Sequence, residues 1–202
     1  MKVDLHVHIK KLSRCAKMDI ISLVPHLLAH KIYGVAPLDH HYFTSDEDIK
    51  EIKAISDKIT VFKATELSIR GPKGNREDVI LISSIAPTFK LRKAKGPELT
   101  DFINKTDALT ILAHPYRRRD FVDFNWDWFI PDAVEIWSTH IEEKNRDKIR
   151  ALANHHGMQT VVTSDAHRSK HLGKYYIEVP DGVQTCEELK WIIKTNRYTL
   201  PI

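Results

Sequence analysis

The chain has 202 residues, of which 42% are hydrophobic and 29% are charged. A chain of this length and composition can bury a sizeable core, and we predict a single domain over residues 1–202. Its 31 basic and 27 acidic residues leave a net charge of +4, which is too small a surplus to indicate a dedicated nucleic-acid binder but suits an anionic small substrate. Two cysteines exclude a disulfide framework, and no apolar stretch approaches the roughly 20 residues that span a bilayer.

The first eight residues are typical of a strand with two histidines on one face. Successive side chains on a strand point to opposite faces, so His6 and His8 project the same way. Two imidazoles on one rigid edge form half of a transition-metal site, although ordinary histidines on a half-exposed strand explain the pair equally well. Asp4 and His6 also interrupt any apolar run of the kind found in secretory signals, so we expect a cytoplasmic protein with no membrane partner.

Helical and strand periodicities alternate along the rest of the chain, which predicts an α/β fold with a largely parallel sheet or barrel. Asp19 and Ser22 are both suitable N-caps for the first helix, and Gly157 is a suitable stop for the fourth. The aromatic segment 121–131 is expected to form a lid or an irregular helix. The expected helices are 19–30, about 44–56, 98–105, 142–155 and 186–194, and the later strands are 33–38, 59–67, 79–82, 109–113, 133–137, 160–163 and 175–179.

Ionisable residues recur at or near the carboxyl ends of the predicted strands. A single histidine in such a place is usually structural, but several strands ending this way are not explained by core packing. In a barrel these strand ends share one rim, and converging ionisable groups cost desolvation and repulsion unless a metal ion binds them. The residues concerned are His6, His8, His40, Glu66, His114, Asp165 and His167.

The motifs around these residues resemble the polymerase and histidinol phosphatase (PHP) family of metal-dependent phosphoesterases. The matching stretches, in order, are Asp4-Leu5-His6-Val7-His8, Leu38-Asp39-His40, Glu66, Ala113-His114-Pro115-Tyr116-Arg117 and Ser164-Asp165-Ala166-His167. Each motif alone is weak, but together they extend from residue 2 to about residue 180. The resemblance implies a distorted, TIM-like (β/α)7 barrel with two or three divalent metal ions at its carboxyl rim.

The resemblance also implies how the ligands are shared. One ion would be held by His6, His8, Glu66 and Asp165, a second by Glu66 and His114, and a third by His40 and His167. Mixed imidazole and carboxylate ligation suits zinc, manganese or iron. Asp4 and Asp39 are expected to orient the imidazoles, although Asp39 could instead face the substrate.

Two positions depart from the family pattern. Asp78 stands where many members have a histidine of the second site, and it is either an oxygen ligand or a sign of a weak site. The loop after His8 commonly gives a histidine or an acidic residue to the third site, and here it offers Cys15, which is either a thiolate ligand or an unliganded small residue.

The activity implied is hydrolysis of a phosphate ester, in a small phosphorylated metabolite or a nucleotide, by metal-activated water. No protein nucleophile is assigned, and Arg117 is the expected phosphate clamp because a guanidinium binds an oxyanion in bidentate fashion. A nuclease acting on DNA or RNA ends is the alternative, and a metal-binding module without turnover or an amidohydrolase fits less well. His41 and His140 are candidate substrate-contacting or proton-shuttle groups, and Glu135 is a candidate for supporting the ligands. The remaining histidines, His26, His30, His155, His156 and His171, are expected to be structural.

Overall fold

A computed structural model describes residues 1–12 and 14–201 and divides them between two sheets and five helices. The strands are β1 (Lys2–His8), β2 (Ile32–Leu38), β3 (Thr60–Val61), β4 (Ala64–Arg70), β5 (Arg76–Ile82), β6 (Leu109–Ala113), β7 (Ala133–Trp137), β8 (Gln159–Val162) and β9 (Ile177–Glu178). The helices are α1 (Ile20–Ala29), α2 (Asp46–Ile55), α3 (Gly96–Thr106), α4 (Arg146–His156) and α5 (Cys186–Lys194). The described part of the chain contains no helix of the length and apolarity needed to cross a membrane.

The fold is mixed α/β, as predicted, but its sheets are less parallel than expected. The first sheet has the order β3-β2-β1-β9, and only the β1–β9 pair is antiparallel. The second sheet has the order β4-β5-β6-β7-β8, in which β5 runs antiparallel to both neighbours while β6, β7 and β8 are parallel. A short turn of 71–75 joins β4 to β5, and this hairpin explains the antiparallel pairing.

The two sheets meet at two single bridges. At one junction Ala166, which follows β8, accepts a backbone hydrogen bond from His8 (2.9 Å) and donates one to His6 (3.2 Å). At the other, the carbonyl of Glu66 in β4 accepts from the backbone N–H of His41 (2.9 Å). Because no continuous ladder joins the sheets in the residues described, the predicted closed barrel is not confirmed. Both junctions nevertheless lie where the candidate ligands lie.

The strand predicted at 59–67 is two strands in different sheets. β3 pairs with β2, whereas β4 pairs with β5. The change of partner falls at Phe62 and Lys63: the N–H of Phe62 donates to Val35 (2.9 Å), and the carbonyl of Lys63 accepts from Ser83 (3.0 Å). Glu66 therefore lies inside β4 rather than near the end of a strand.

The helix boundaries follow their capping residues. Asp19, rather than Ser22, caps α1, since its side chain accepts from the backbone N–H of Ser22. Ser45 and Asp48 form a capping box at the start of α2, and Gly157 ends α4 in the left-handed conformation with φ of 70°. α5 has the predicted bounds. The aromatic segment 121–131 contains turns but no helix.

Two hydrophobic clusters hold these elements together. The larger packs α3, α4 and α5 against the second sheet, and the smaller packs α1 and α2 against the first. Trp126 and Trp128 are half-buried against the larger cluster, as expected for a packing role. Trp128 lies so close to Gly96 that a Cβ there would be 1.9 Å from its ring. The clusters fix the two sheets relative to the helices and leave the polar strand ends grouped together.

Candidate metal centre

The candidate ligands converge where the two sheets meet. The alternation predicted for β1 places Asp4, His6 and His8 on one side of the strand, and all three are fully buried. The Nε2 atoms of His6 and His8 are 3.0 Å apart. Burial of two imidazoles this close requires polar partners, and the second sheet supplies them.

Glu66 lies at the middle of the imidazoles. Its Oε1 is 3.1 Å from Nε2 of His114 and 3.7 Å from Nε2 of His6. Its Oε2 is 3.4 Å from Nε2 of His8 and 2.8 Å from Nδ1 of His40. A single carboxylate therefore contacts histidines from both sheets, as a bridging ligand would.

Asp165 approaches the same imidazoles from the loop after β8. Its Oδ1 is 3.4 Å from Nε2 of His6, from Nε2 of His8 and from Nδ1 of His167. Its Oδ2 is 2.5 Å from Nδ1 of His140. The residues predicted as ligands of the first ion are thus brought together, and His140 joins them through Asp165.

The charges of the cluster depend on each other. Burial by itself would raise the pKa of Glu66, but the neighbouring His6, His114 and His40 hold that pKa well below its ordinary value. Asp165 behaves in the same way beside His6 and His140. Burial lowers the pKa of His8, yet hydrogen bonding and charge from the surrounding acids raise it to about 10. Both carboxylates therefore favour the ionised form, in which they bind cations, and a bound metal ion would take the place of protons on the imidazoles.

The spacing of the donor atoms fits a shared cation better than hydrogen bonding. Oδ1 of Asp165 is fully buried and has no hydrogen-bond partner in the part of the chain that the structure describes. Three imidazole nitrogens surround it at 3.4 Å, beyond the usual hydrogen-bond range. Two ligands bound at about 2.1 Å to one tetrahedral ion are roughly 3.4 Å apart. The residues present therefore fit a divalent metal ion.

Further groups of donors adjoin this one. Glu66, Asp78 and His114 offer atoms within 4.8 Å of one another, which places Asp78 beside the predicted second site. Asp78 lies in β5, where its Oδ1 accepts a hydrogen bond from Ser68. His40 and His167, predicted for a third site, form a group with His8 and Cys15.

Glu135 forms hydrogen bonds with two of the candidate ligands, His6 and His114. Its Oε1 is 2.7 Å from Nδ1 of His6, and its Oε2 accepts from the backbone N–H of His114 at 2.7 Å. Thr163, which the sequence did not single out, donates its hydroxyl to Oε1 at 2.6 Å. Glu135 accepts a hydrogen bond from Nδ1 of His6, and Nε2 of the same ring faces Glu66.

The two aspartates predicted to orient imidazoles differ from each other. Asp39 lies 3.9 Å from Nδ1 of His8 and accepts from the backbone N–H of His40 at 2.8 Å. Asp4 contacts backbone instead, since its Oδ1 accepts from the N–H groups of Ser164 (3.0 Å) and His6 (3.3 Å). Asp4 thus fastens β1 to the loop that carries Asp165.

The backbone is strained at two candidate ligands. His114 has φ of 29° and Asp165 has φ of 46°, both in the left-handed region that non-glycine residues rarely adopt. Such conformations cost on the order of 1–3 kcal/mol each and persist when the surroundings enforce them. In both residues the strain directs a side chain toward Glu66 or the neighbouring imidazoles.

The three arginines after His114 have different environments. Nη1 of Arg117 is 3.5 Å from Nε2 of His114 and 3.8 Å from Oδ2 of Asp165, and the side chain is one-third exposed. Arg118 is mostly exposed and lies 4.0 Å from Asp78. Arg119 contacts Glu77 through its guanidinium. Of the three, Arg117 lies beside Asp165 and His114, whereas Arg118 approaches only Asp78.

The histidines read as structural lie on other elements. His26 belongs to α1, His155 and His156 to α4, His30 caps α1, and His171 lies in a 3-10 turn. His156 stacks on Trp126 with ring centroids 3.7 Å apart. His41, which has φ of 59°, is next to the ligand group but is in none of the donor groups found among the described residues.

Comparison with known proteins supports the family resemblance. Residues 143–196 match a family model described as PHP-associated. No curated protein matches the sequence with statistical significance. This match bears out the predicted resemblance to the PHP family over residues 143–196.

Solved structures with low sequence identity share the fold. A candidate metal-dependent phosphoesterase from Bifidobacterium adolescentis is 12% identical, with a TM-score of 0.59 and 94% of each chain covered. PsfC from Pseudomonas syringae is 16% identical, with a TM-score of 0.67, covering 95% of this chain and 87% of that one. An amidohydrolase from Chromobacterium violaceum, with bound sulfate and no metal, is 12% identical, with a TM-score of 0.63, covering 100% of this chain and 99% of that one.

Proposed function

We propose that the protein is a metal-dependent phosphoesterase that hydrolyses the phosphate ester of a small phosphorylated metabolite or a nucleotide. The observation that carries the proposal is the buried Oδ1 of Asp165, which three imidazole nitrogens surround at 3.4 Å. An ionised carboxylate in such a place is stabilised by a cation that it shares with the imidazoles.

We assign the candidate ligands to two or three ions. His6, His8, Glu66 and Asp165 would hold the first, and Glu66, His114 and Asp78 the second. His40 and His167 would belong to a third. Imidazole with carboxylate favours zinc, manganese or iron over calcium and magnesium. Such ions, when bound, supply Lewis acidity toward a phosphoryl oxygen and lower the pKa of water.

Arg117 favours a phosphate ester as the substrate. Its guanidinium lies beside the cluster, within 3.8 Å of Asp165, and is partly exposed to solvent. A guanidinium can bind two oxygens of a phosphoryl group and neutralise charge that grows on them. The structurally similar amidohydrolase from C. violaceum holds sulfate, a tetrahedral oxyanion of the same shape as a phosphate group.

Neighbouring residues hold the candidate metal ligands in position. Glu135 fixes the ring of His6, and Asp4 fastens β1 to the loop of Asp165. His140 contacts Oδ2 of Asp165 and so restrains that carboxylate. We assign no protein nucleophile, because hydrolysis of this kind needs only water, bound substrate and a positioned cation.

The test is a substrate panel with defined metals. The protein is stripped with a chelator, reloaded with Mn²⁺ or Zn²⁺, and assayed on p-nitrophenyl phosphate, its bis-ester and a p-nitroanilide. We expect hydrolysis of a phosphate ester that depends on added metal and disappears in His8→Ala and Asp165→Ala. His26→Ala, which changes an exposed helical histidine, is the matched control and should keep full activity.

Two results would contradict the proposal. One is ester hydrolysis that survives both substitutions with the metal removed. The other is cleavage of the anilide alone, which would favour an amidohydrolase. A nuclease contacting several phosphates should lose affinity for oligonucleotides steeply with added salt, so a steep salt dependence would favour that alternative instead.

A further inference from the structure

The segment between β1 and α1 brings a thiol to three histidines. Cys15 is exposed, and its Sγ forms a group with ring nitrogens of His8, His40 and His167, all within 4.8 Å of one another. The four residues come from four parts of the chain: this segment, β1, the stretch after β2, and the loop after β8.

Two backbone N–H groups, one before and one after Cys15, donate hydrogen bonds to residues beside the histidines. On one side of Cys15, the N–H of Leu12 donates to Oδ2 of Asp39 at 2.7 Å. On the other side, the N–H of Lys17 donates to the carbonyl of His167 at 2.9 Å. The thiol is therefore positioned by the same residues that carry the imidazoles.

One member of the group has an unsatisfied nitrogen. Nδ1 of His8 is buried and has no hydrogen-bond partner among residues 1–12 and 14–201. The His8 ring is fully buried and stacks on that of His167, with centroids 4.0 Å apart. A buried nitrogen of this kind needs a polar partner, and the Cys15 thiol lies within 4.8 Å of a ring nitrogen of His8.

The donors of this group differ from those of the first centre. A thiolate with imidazoles is the donor set of zinc sites, whereas manganese and magnesium prefer oxygen ligands. The first centre instead combines two imidazoles with two carboxylates. The two neighbouring sites therefore have different preferences for metal ions.

We propose that Cys15 is the thiolate ligand of a third metal centre, shared with His40 and His167 and bordered by His8, that prefers Zn²⁺ or Co²⁺ to Mn²⁺. The inference rests on the proposed function only in placing metal ions at this end of the sheets. On binding, a metal–sulfur bond forms and the thiol proton is released to solvent.

The decisive experiment is spectroscopic. The protein has two cysteines, so Cys186→Ala leaves Cys15 as its sole thiol. We expect Co²⁺ to produce a thiolate-to-cobalt charge-transfer band in the near ultraviolet in Cys186→Ala, and Cys15→Ser to lack it. A band that persists in Cys15→Ser, or is absent from Cys186→Ala at saturating Co²⁺, would overturn the assignment.

Thiol alkylation gives a second readout in the folded Cys186→Ala protein. Saturating Zn²⁺ should slow the reaction of Cys15 with iodoacetamide by about tenfold or more, because a coordinated thiolate is a poorer nucleophile, while Mn²⁺ should have little effect. Equal protection by both ions, or none by either, would contradict the proposed preference.

The two proposals fail in different ways. Metal-dependent ester hydrolysis by Cys186→Ala without the cobalt band would overturn the Cys15 assignment and leave the phosphoesterase intact. A cobalt band without hydrolysis of any ester in the panel would support the third centre and contradict the phosphoesterase. Circular dichroism of each variant establishes that the loss is not one of folding.

Discussion

Replacing Glu135 with Gln should weaken metal binding and destabilise the fold, because Glu135 holds two of the candidate ligands in position. Oε1 of Glu135 contacts Nδ1 of His6 and accepts from the hydroxyl of Thr163, and Oε2 accepts from the N–H of His114. An amide has one oxygen and one NH₂ group. If NH₂ replaces Oε2, it faces the N–H of His114, and two donors are left opposed in a fully buried place.

The other orientation of the amide affects the metal directly. If NH₂ replaces Oε1, Nδ1 of His6 must accept, and the ring proton moves to Nε2. That nitrogen lies 3.4 Å from Oδ1 of Asp165 and 3.7 Å from Oε1 of Glu66, and it cannot bind a metal ion while protonated. Both orientations of the amide therefore weaken the centre.

The expected magnitudes follow from the lost hydrogen bonds. A buried donor without a partner costs about 1–3 kcal/mol, which lowers the melting temperature of a chain this long by about 2–4 °C per kcal/mol. We expect the melting temperature of the metal-free variant to be about 2–12 °C lower than that of metal-free wild type, and its metal affinity to be about 10–100-fold weaker.

Calorimetric titration with Zn²⁺ and thermal unfolding monitored by circular dichroism measure both effects. Glu143→Gln, on an exposed 3-10 turn, makes the same chemical change away from the cluster and should leave both quantities unchanged. A Glu135→Gln protein with wild-type metal affinity and melting temperature would refute the reasoning.

Three further predictions concern Arg117, the contact between Arg119 and Glu77, and the stability of the protein at high pH. Arg117→Lys should lower kcat/KM for a phosphate ester by about 10–100-fold, because an ammonium cannot bind two oxygens in a fixed plane; steady-state kinetics equal to wild type would exclude the clamp. Glu77→Gln removes the negative charge opposite the Arg119 guanidinium and should destabilise the fold by about 1–3 kcal/mol in urea titration while metal affinity is unchanged; weaker metal binding would place Glu77 in the centre. Burial raises the pKa of Tyr198 from 10 to about 12, and its hydroxyl donates to the carbonyl of Thr160. The neutral phenol therefore stabilises the fold below pH 10 and loses this contribution as pH rises through 12, so wild type should lose more stability over that range than Tyr198→Phe, and parallel denaturation curves would contradict this.

The residue types and local spacing were sufficient to predict much of the site. Period-2 alternation put His6 and His8 on one face, and capping residues located the helix starts near Asp19 and Ser45. These features depend on neighbours within a few residues, so they can be predicted without a tertiary structure. The motifs around His114 and Asp165 likewise named residues that the structure brings together.

Long-range contacts decided the rest. Glu66 was expected near a strand end, but the chain changes partner at Phe62 and Lys63, which puts Glu66 inside β4 at the junction of the sheets. The contact of Glu135 with His6 joins residues 129 positions apart, and no local pattern encodes such a distance. Strand alternation tells which side of a strand a residue faces, whereas strand partners and register decide what it meets there.

The same division applies to the opening strand and to Cys15. The sequence by itself determined that β1 carries two imidazoles on one face and that the chain has acids and histidines enough to complete a metal site. Only the tertiary structure decided that Cys15 joins His40 and His167, because its position depends on hydrogen bonds from its segment to Asp39 and to the loop after β8. Side-chain direction along a strand is a local property of the backbone, whereas the position of a loop depends on the distant residues to which it is bonded.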